Sequence, residues 1–222
     1  MADTCALILE TSTPQASIAL AGPDGSLDVR HFTSDRGHNA VMFTPLQELL
    51  AGRGGLKITL VLVGSGPGSY SGTRVGIAAA QGIAIAFGCP AVAVPSILAV
   101  PAAAHGHTCL AIGDARRGSY WTARVANSRL LSPPTLTTGE GLSEEIEASL
   151  MMDSTLFSFE HAVRFPLPTE LIARVNLDFP TAPLLWQAWC KADGQTRAQW
   201  ASEVPQPIYL KPPHITPARV RP

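Results

Sequence analysis

The stretch GSGPGSYSGTRVGIAAAQGIAIAFG, residues 64–88, holds the residues most suited to chemistry or to close contact. Backbone N–H groups in a glycine loop that opens a helix attract anions. Two stricter phosphate signatures fail here. A P-loop needs lysine after its last glycine, and this chain has Thr73 and Arg74. The dinucleotide fingerprint meets Ser69 or Ser71 at its third glycine. A tight strand-to-helix turn that uses glycine's freedom in φ is the simpler reading of the loop.

The helix after it carries Gly72, Gly76, Ala80, Ala84 and Gly88 at every fourth position, a stripe nearly without side chains. Glycine inside a helix costs about 1 kcal/mol relative to alanine, so close packing should offset it. The stripe faces either the protein's own sheet or a helix of another subunit. The second case predicts that Gly76→Leu or Ala80→Trp leaves the monomer folded and breaks a complex.

Other catalytic patterns are sparse. Glu10 and Asp114 each stand five residues after a cysteine that opens an apolar run, and could hold a hydrated Mg²⁺ across a cleft, with Thr11 and Ser12 beside them. Ordinary acids in turns explain them as well. His105 and His107 lack further ligands in sequence, and the serines lack an identifiable base. Cys5, Cys89, Cys109 and Cys190 are widely spaced, which fits free thiols and a cytoplasmic setting. The formal net charge of -1 argues against nucleic-acid binding by bulk electrostatics. Arg116, Arg117, Lys211, Arg219 and Arg221 are the candidate basic clusters. The longest apolar run, residues 75–87, is too short for the roughly 20 residues a bilayer needs.

The elements that position these residues follow from period and punctuation. Apolar runs at residues 5–10, 16–21 and 27–33 predict a meander, helped by the Pro23-Asp24-Gly25 turn. Met42, Leu46, Leu49 and Leu50 share one helical face. That helix either starts at Pro45, with Thr44 as its cap, or runs from about His38 with the proline inside. A strand at 58–64, the glycine loop and helix, a strand at 90–96 and a short helix at 97–105 complete a ribonuclease-H-like β-β-β-α-β-α-β-α order. The run from Cys109 to Val125 repeats the opening as a degenerate duplication. Helices at 142–150, 170–175 and 182–189, a strand at 154–159 and a strand-like start to the Pro-rich tail complete a smaller second half. The expected division is 1–104 and 105–222.

In order and spacing, LILETSTPQASIAL, RGHNAVMFTPLQELL, GSGPGSYSGTRVGIAAAQGIA, AVAVPS, DARRGSYWTARV and the late PIYL resemble the TsaB (YeaZ) family. The resemblance covers residues 5–125 and the PIYL tail. It implies two ribonuclease-H-like lobes of the actin/Hsp70-like ATPase superfamily, the second reduced. It also implies a subunit that does not transfer a group itself. Such a subunit associates with TsaD, which passes threonylcarbamoyl from threonylcarbamoyl-AMP to the adenosine beside the tRNA anticodon. TsaE, an ATPase, joins them, and tRNA is met through the complex. The partner contact implied is a helical bundle made by segments 38–51 and 73–87, with His38, Met42, Leu46, Leu49, Gly72, Arg74, Gly76, Ala80, Ile83 and Ala84 at the interface. The same helices could pair two copies of the chain. No cofactor of its own is implied, with ATP and Mg²⁺ possible where subunits meet. The family usually carries Asp at the position of Glu10 and Arg at that of Ser65, and both departures favour a scaffold over an ATPase. A metal-dependent ATPase or phosphotransferase is the alternative.

Overall fold

The computed structural model describes residues 4–33, 38–51 and 57–211. Alternating burial along the first strand sets the layers. In β1 (Thr4–Glu10), Cys5, Leu7 and Leu9 face one way, while Ala6, Ile8 and Glu10 face the other, as the two-residue strand period requires. All six are buried, so both faces of the sheet are covered.

β1 pairs antiparallel with β2 (Gln15–Ala21), and β2 with β3 (Leu27–Thr33). On its other side β1 pairs parallel with β4 (Lys57–Gly64), which pairs parallel with β5 (Ala91–Val94). The order β3-β2-β1-β4-β5 is ribonuclease-H-like. The parallel steps need crossovers, supplied by α1 (His38–Leu50) and α2 (Tyr70–Phe87). Pro45 lies inside α1, so the longer of the two possible helices forms. Both helices pack on the face of Leu7 and Leu9.

The chain then passes a 3-10 turn (Ser96–Leu98) and α3 (Pro101–Ala104) into a second sheet. There β6 (Cys109–Asp114) pairs antiparallel with β7 (Tyr120–Ala126), and β7 with β8 (Arg129–Leu130) and β9 (Thr135–Thr137). After α4 (Gly139–Met151), β10 (Thr155–Ser158) pairs parallel with β6 and with β11 (Val175–Leu177). The path β8-β7-β6-β10-β11 has the same sense as the first sheet, so the duplication seen in the sequence is a duplication of topology. Residues 170–175, expected to be one helix, divide between α5 (Thr169–Ile172) and the start of β11.

One core lies between the sheets. Ile8, Leu62 and Val94 meet Ala111, Trp121 and Phe157 there, together with Leu185 of α6 (Ala182–Lys191). The end of the chain therefore returns to the first sheet: α6 packs on β1, β2 and β4, and α7 (Gly194–Ser202) on β5. The tail from Glu203 to Lys211 forms no strand, against expectation. Pro205 and Pro207 have no N–H to offer, and one backbone bond, Ile208 N–H to the Ser65 carbonyl at 2.9 Å, fixes it. Among the described residues no helix is long and apolar enough to cross a membrane.

Candidate docking face and interlobe cleft

The glycine loop is a clamp between β4 and α2. Gly66 holds φ +83°, a left-handed value that side chains disfavour. Its N–H donates to the Ser96 hydroxyl at 3.0 Å. The Ser69 N–H donates to the Ser12 carbonyl at 2.6 Å, so the loop lies directly on the β1–β2 turn. A Cβ on Gly68 would stand 2.2 Å from that same carbonyl oxygen. Ser69 also caps α2 by accepting from Gly72 N–H at 3.2 Å. At the far end Gly88 closes the helix in a left-handed turn, its N–H reaching Ala84 and Ile85.

The acids expected to share a metal are not brought together. Glu10 is completely buried; its carboxylate accepts from the Ser12 N–H and the Ser96 hydroxyl, both at 2.8 Å. Strand parity explains this, because Glu10 follows Ala6 and Ile8 inward. Thr11 is also committed inside the protein, its hydroxyl donating to the Gly72 carbonyl at 2.8 Å. Ser12 and Asp114 do line the cleft between the lobes, but Glu10 does not. Asp114 accepts from the Arg116 backbone N–H at 2.6 Å and its guanidinium at 2.9 Å. These bonds hold a turn in which Arg116, Arg117 and Gly118 all have positive φ. Among the described residues no three His, Cys, Asp or Glu gather as metal ligands. The donor set does not fit the proposed Mg²⁺. His105 and His107 are exposed, and the His105 ring contacts the Pro101 carbonyl at 2.6 Å.

Burial in an uncharged pocket pushes the Glu10 carboxyl above its usual value of 4.5, with the bonds from Ser12 and Ser96 opposing. The folded chain then holds its proton more tightly than the unfolded chain. Stability from this group is complete below about 4.5 and falls as pH rises through the higher folded value. Glu10→Gln keeps the shape without the charge, so its stability should vary less with pH across that window. Urea melts of both chains at a series of pH values check this, and parallel curves would refute it.

The cleft itself has a volume of about 1050 Å³ and is bounded by the β1–β2 turn, the glycine loop, the β6–β7 turn and the tail. Arg74, Arg116, Arg164 and Lys211 line it, against Asp114 and Glu160. Arg164 sits 3.6 Å from Glu160. Burial raises the Glu160 carboxyl above its usual value.

The inner stripe of α2 is not a surface. Gly72, Gly76, Ala80 and Ala84 are buried against their own sheet, and a Cβ on Gly76 would meet Thr11 Oγ1 at 2.2 Å and Val63 at 3.5 Å. Met42, Leu46 and Leu49 are buried in the same cluster, and Ile83 is half-buried on it. These expected interface residues are core residues of the chain. Arg74 alone of the expected set is exposed, while the side chain of His38, like Arg219 and Arg221, lies outside the described residues.

A second small-residue ridge faces outward. Ala78, Gly82 and Ala86 repeat at the same spacing and are exposed, beside Phe87 and Ile85, which is 83% exposed. Among the described residues, nothing outside the adjoining helix backbone lies within 4 Å of a Cβ built on Gly82. Val41 and Phe43 are exposed on α1, which packs on the same face of the sheet. The four-residue spacing in the sequence marks both ridges equally. The inner ridge, with five members against three, is the more conspicuous in sequence.

Comparison with known proteins bears on this geometry. A family model described as TsaD, tRNA N6-adenosine threonylcarbamoyltransferase, matches residues 33–140. The tRNA threonylcarbamoyladenosine biosynthesis protein TsaB of Escherichia coli (strain K12) is 33% identical over 190 residues, 82% of this chain and 72% of its own length. The chain belongs to the TsaB family. The TsaB protein of Haemophilus influenzae is 30% identical over 132 residues, 57% of this chain and 56% of that one. A solved structure of YeaZ from Pseudomonas aeruginosa superposes with a TM-score of 0.69 at 21% identity, over 93% of this chain and all of the other. The TsaB fold therefore extends through the second lobe and not only through residues 5–125. The architecture is two ribonuclease-H-like lobes, one on the five-stranded sheet and one on the six-stranded sheet.

Proposed function

We propose that this TsaB-family chain is a non-catalytic subunit of the bacterial complex that forms threonylcarbamoyladenosine in tRNA. Its task in this reading is to dock and support a TsaD-type catalytic subunit through the outer faces of α1 and α2. The observation that carries the docking surface is Gly82. Gly76 is explained within the chain by its contact with Thr11, whereas Gly82 weakens α2 by about 1 kcal/mol and among the described residues nothing fills the space beside it. A helix from another protein would use that space.

The match of the TsaD family model to residues 33–140 supports the choice of partner. A partner built on the same lobe presents equivalent helices, so the two can meet about a pseudo-twofold axis, as homologous chains commonly do. Two copies of this chain could pair the same way when the partner is absent. A TsaE-type ATPase and tRNA join through the assembled complex, in the cytoplasm. In this reading the chain has no cofactor of its own, and any site for ATP and Mg²⁺ lies where subunits meet. The inward-turned Glu10 favours this scaffold over an ATPase or phosphotransferase.

Mixing the chain with its TsaD-type partner and measuring mass by light scattering should give a heterodimer. Absence of assembly would overturn the docking role. Metal-dependent ATP turnover by the isolated chain, abolished in Glu10→Gln, would support the enzyme instead.

A further inference from the structure

Arg74 projects from α2 one turn before Ala78, at the end of the outer ridge. Its guanidinium carbon lies 3.7 Å from the centre of the Tyr70 ring and 5.3 Å from that of Tyr209. Nε and Nη2 both donate to the Tyr209 hydroxyl, at 3.1 and 2.9 Å. Tyr209 arrives on the tail, which is tied down on both sides of it. Gln81 Nε2 donates to the Pro205 carbonyl at 3.3 Å, the Ile208 N–H to Ser65 at 2.9 Å, and Lys211 Nζ to the Arg116 carbonyl at 2.9 Å.

This cation is oriented but unpaired. Among the described residues Arg116, Arg129 and Arg164 have carboxylate partners; Arg74 has none, and what sets it apart from the other arginines without one is the hold of Tyr70 and Tyr209 on its guanidinium. A guanidinium has five N–H donors, and Tyr209 occupies two of them. The remainder suit a carboxylate, and stacking on Tyr70 limits the freedom that binding would otherwise remove.

We infer that Arg74, clamped by Tyr70 and the tail residue Tyr209, extends the docking face and receives a carboxylate of the TsaD-type partner. This rests on the docking reading above. The tail is then part of the interface surface: it fixes the arginine, and the exposed Val204 lies on the same segment.

Titration calorimetry with the TsaD-type subunit tests it, using Arg74→Ala, Tyr209→Phe, the double variant, and Gly82→Leu as a control on the ridge. Arg74→Ala should weaken binding about 30-fold, the scale of an interface arginine that matters. Tyr209→Phe should weaken it less, and the double variant should bind like Arg74→Ala, because the tyrosine acts through the arginine. Arg74→Lys should not restore affinity, since an ammonium lacks the fork. Both side chains are largely exposed, so melting temperatures should hold. If Gly82→Leu abolishes binding and Arg74→Ala does not, the extension fails and the docking face stands. If neither weakens binding, the docking reading fails and the extension with it. Additive losses from Arg74→Ala and Tyr209→Phe would refute the clamp. Normal partner binding with reduced tRNA retention by the Arg74→Ala complex would assign the anion to RNA phosphate and overturn the inference.

Discussion

Gly76→Leu and Gly68→Ala should each leave the native fold severely weakened. At Gly76 the first carbon added falls 2.2 Å from Thr11 Oγ1, so Thr11 must move. Its hydroxyl then loses the buried bond to the Gly72 carbonyl, which is worth about 1 kcal/mol. Overpacking adds roughly 1–3 kcal/mol, and leucine has three more carbons to place against Val63. At Gly68 the obstacle is the Ser12 backbone carbonyl, also 2.2 Å away, so the loop must separate from the β1–β2 turn and release the Ser69 bond. Together these cost Gly76→Leu roughly 2–4 kcal/mol, a large share of a total stability of about 5–15 kcal/mol. Circular dichroism and urea melts read both. A folded Gly76→Leu that only fails to bind a partner would restore the inner stripe as the interface.

The sequence made some features legible and hid others for definable reasons. Strand parity and turn residues specify β1 to β5, and the spacing from Cys5 to Glu10, repeated from Cys109 to Asp114, marks the duplicated topology. Parity also places Glu10 with Ala6 and Ile8. Its hydroxyl partner, Ser96, is 86 residues away, and only the pairing of β5 with β4, which carries the 3-10 turn after β5, brings it in. The stripe on α2 shows the limit of periodicity. A four-residue repeat states that a ridge is narrow, not what lies against it, and here Thr11 and Val63 settle the matter. α7 was not legible because GQTRAQWAS has no continuous apolar face; its Asp193 cap, accepting from Thr196 N–H at 2.6 Å, is the one local signal. The tail misled in the opposite direction. Ile208, Tyr209 and Leu210 suit a strand, but the flanking prolines and the contacts of Tyr209 with Arg74 make it an irregular strap.

Gly82→Leu should give a folded chain that has lost most of its affinity for a TsaD-type partner. The position is exposed and, among the described residues, nothing outside the adjoining helix backbone lies within 4 Å of the added Cβ, so the monomer has room for the side chain. Leucine is also the better helix former, and Gly82→Ala should stabilise the isolated chain by about 1 kcal/mol. In a docked complex the argument reverses. A ridge of Ala78, Gly82 and Ala86 admits a facing helix closely, and leucine in its middle holds that helix off or forces off-rotamer packing. The cost of roughly 1–3 kcal/mol corresponds to about 5- to 150-fold in affinity. Ala should fall between Gly and Leu in binding while exceeding Gly in stability, an inversion that general destabilisation cannot produce. Thermal melts of the three isolated chains, set beside their dissociation constants from calorimetry, measure it. Equal affinity across Gly, Ala and Leu would remove the outer ridge from the interface, because a buried contact cannot be indifferent to four added carbons.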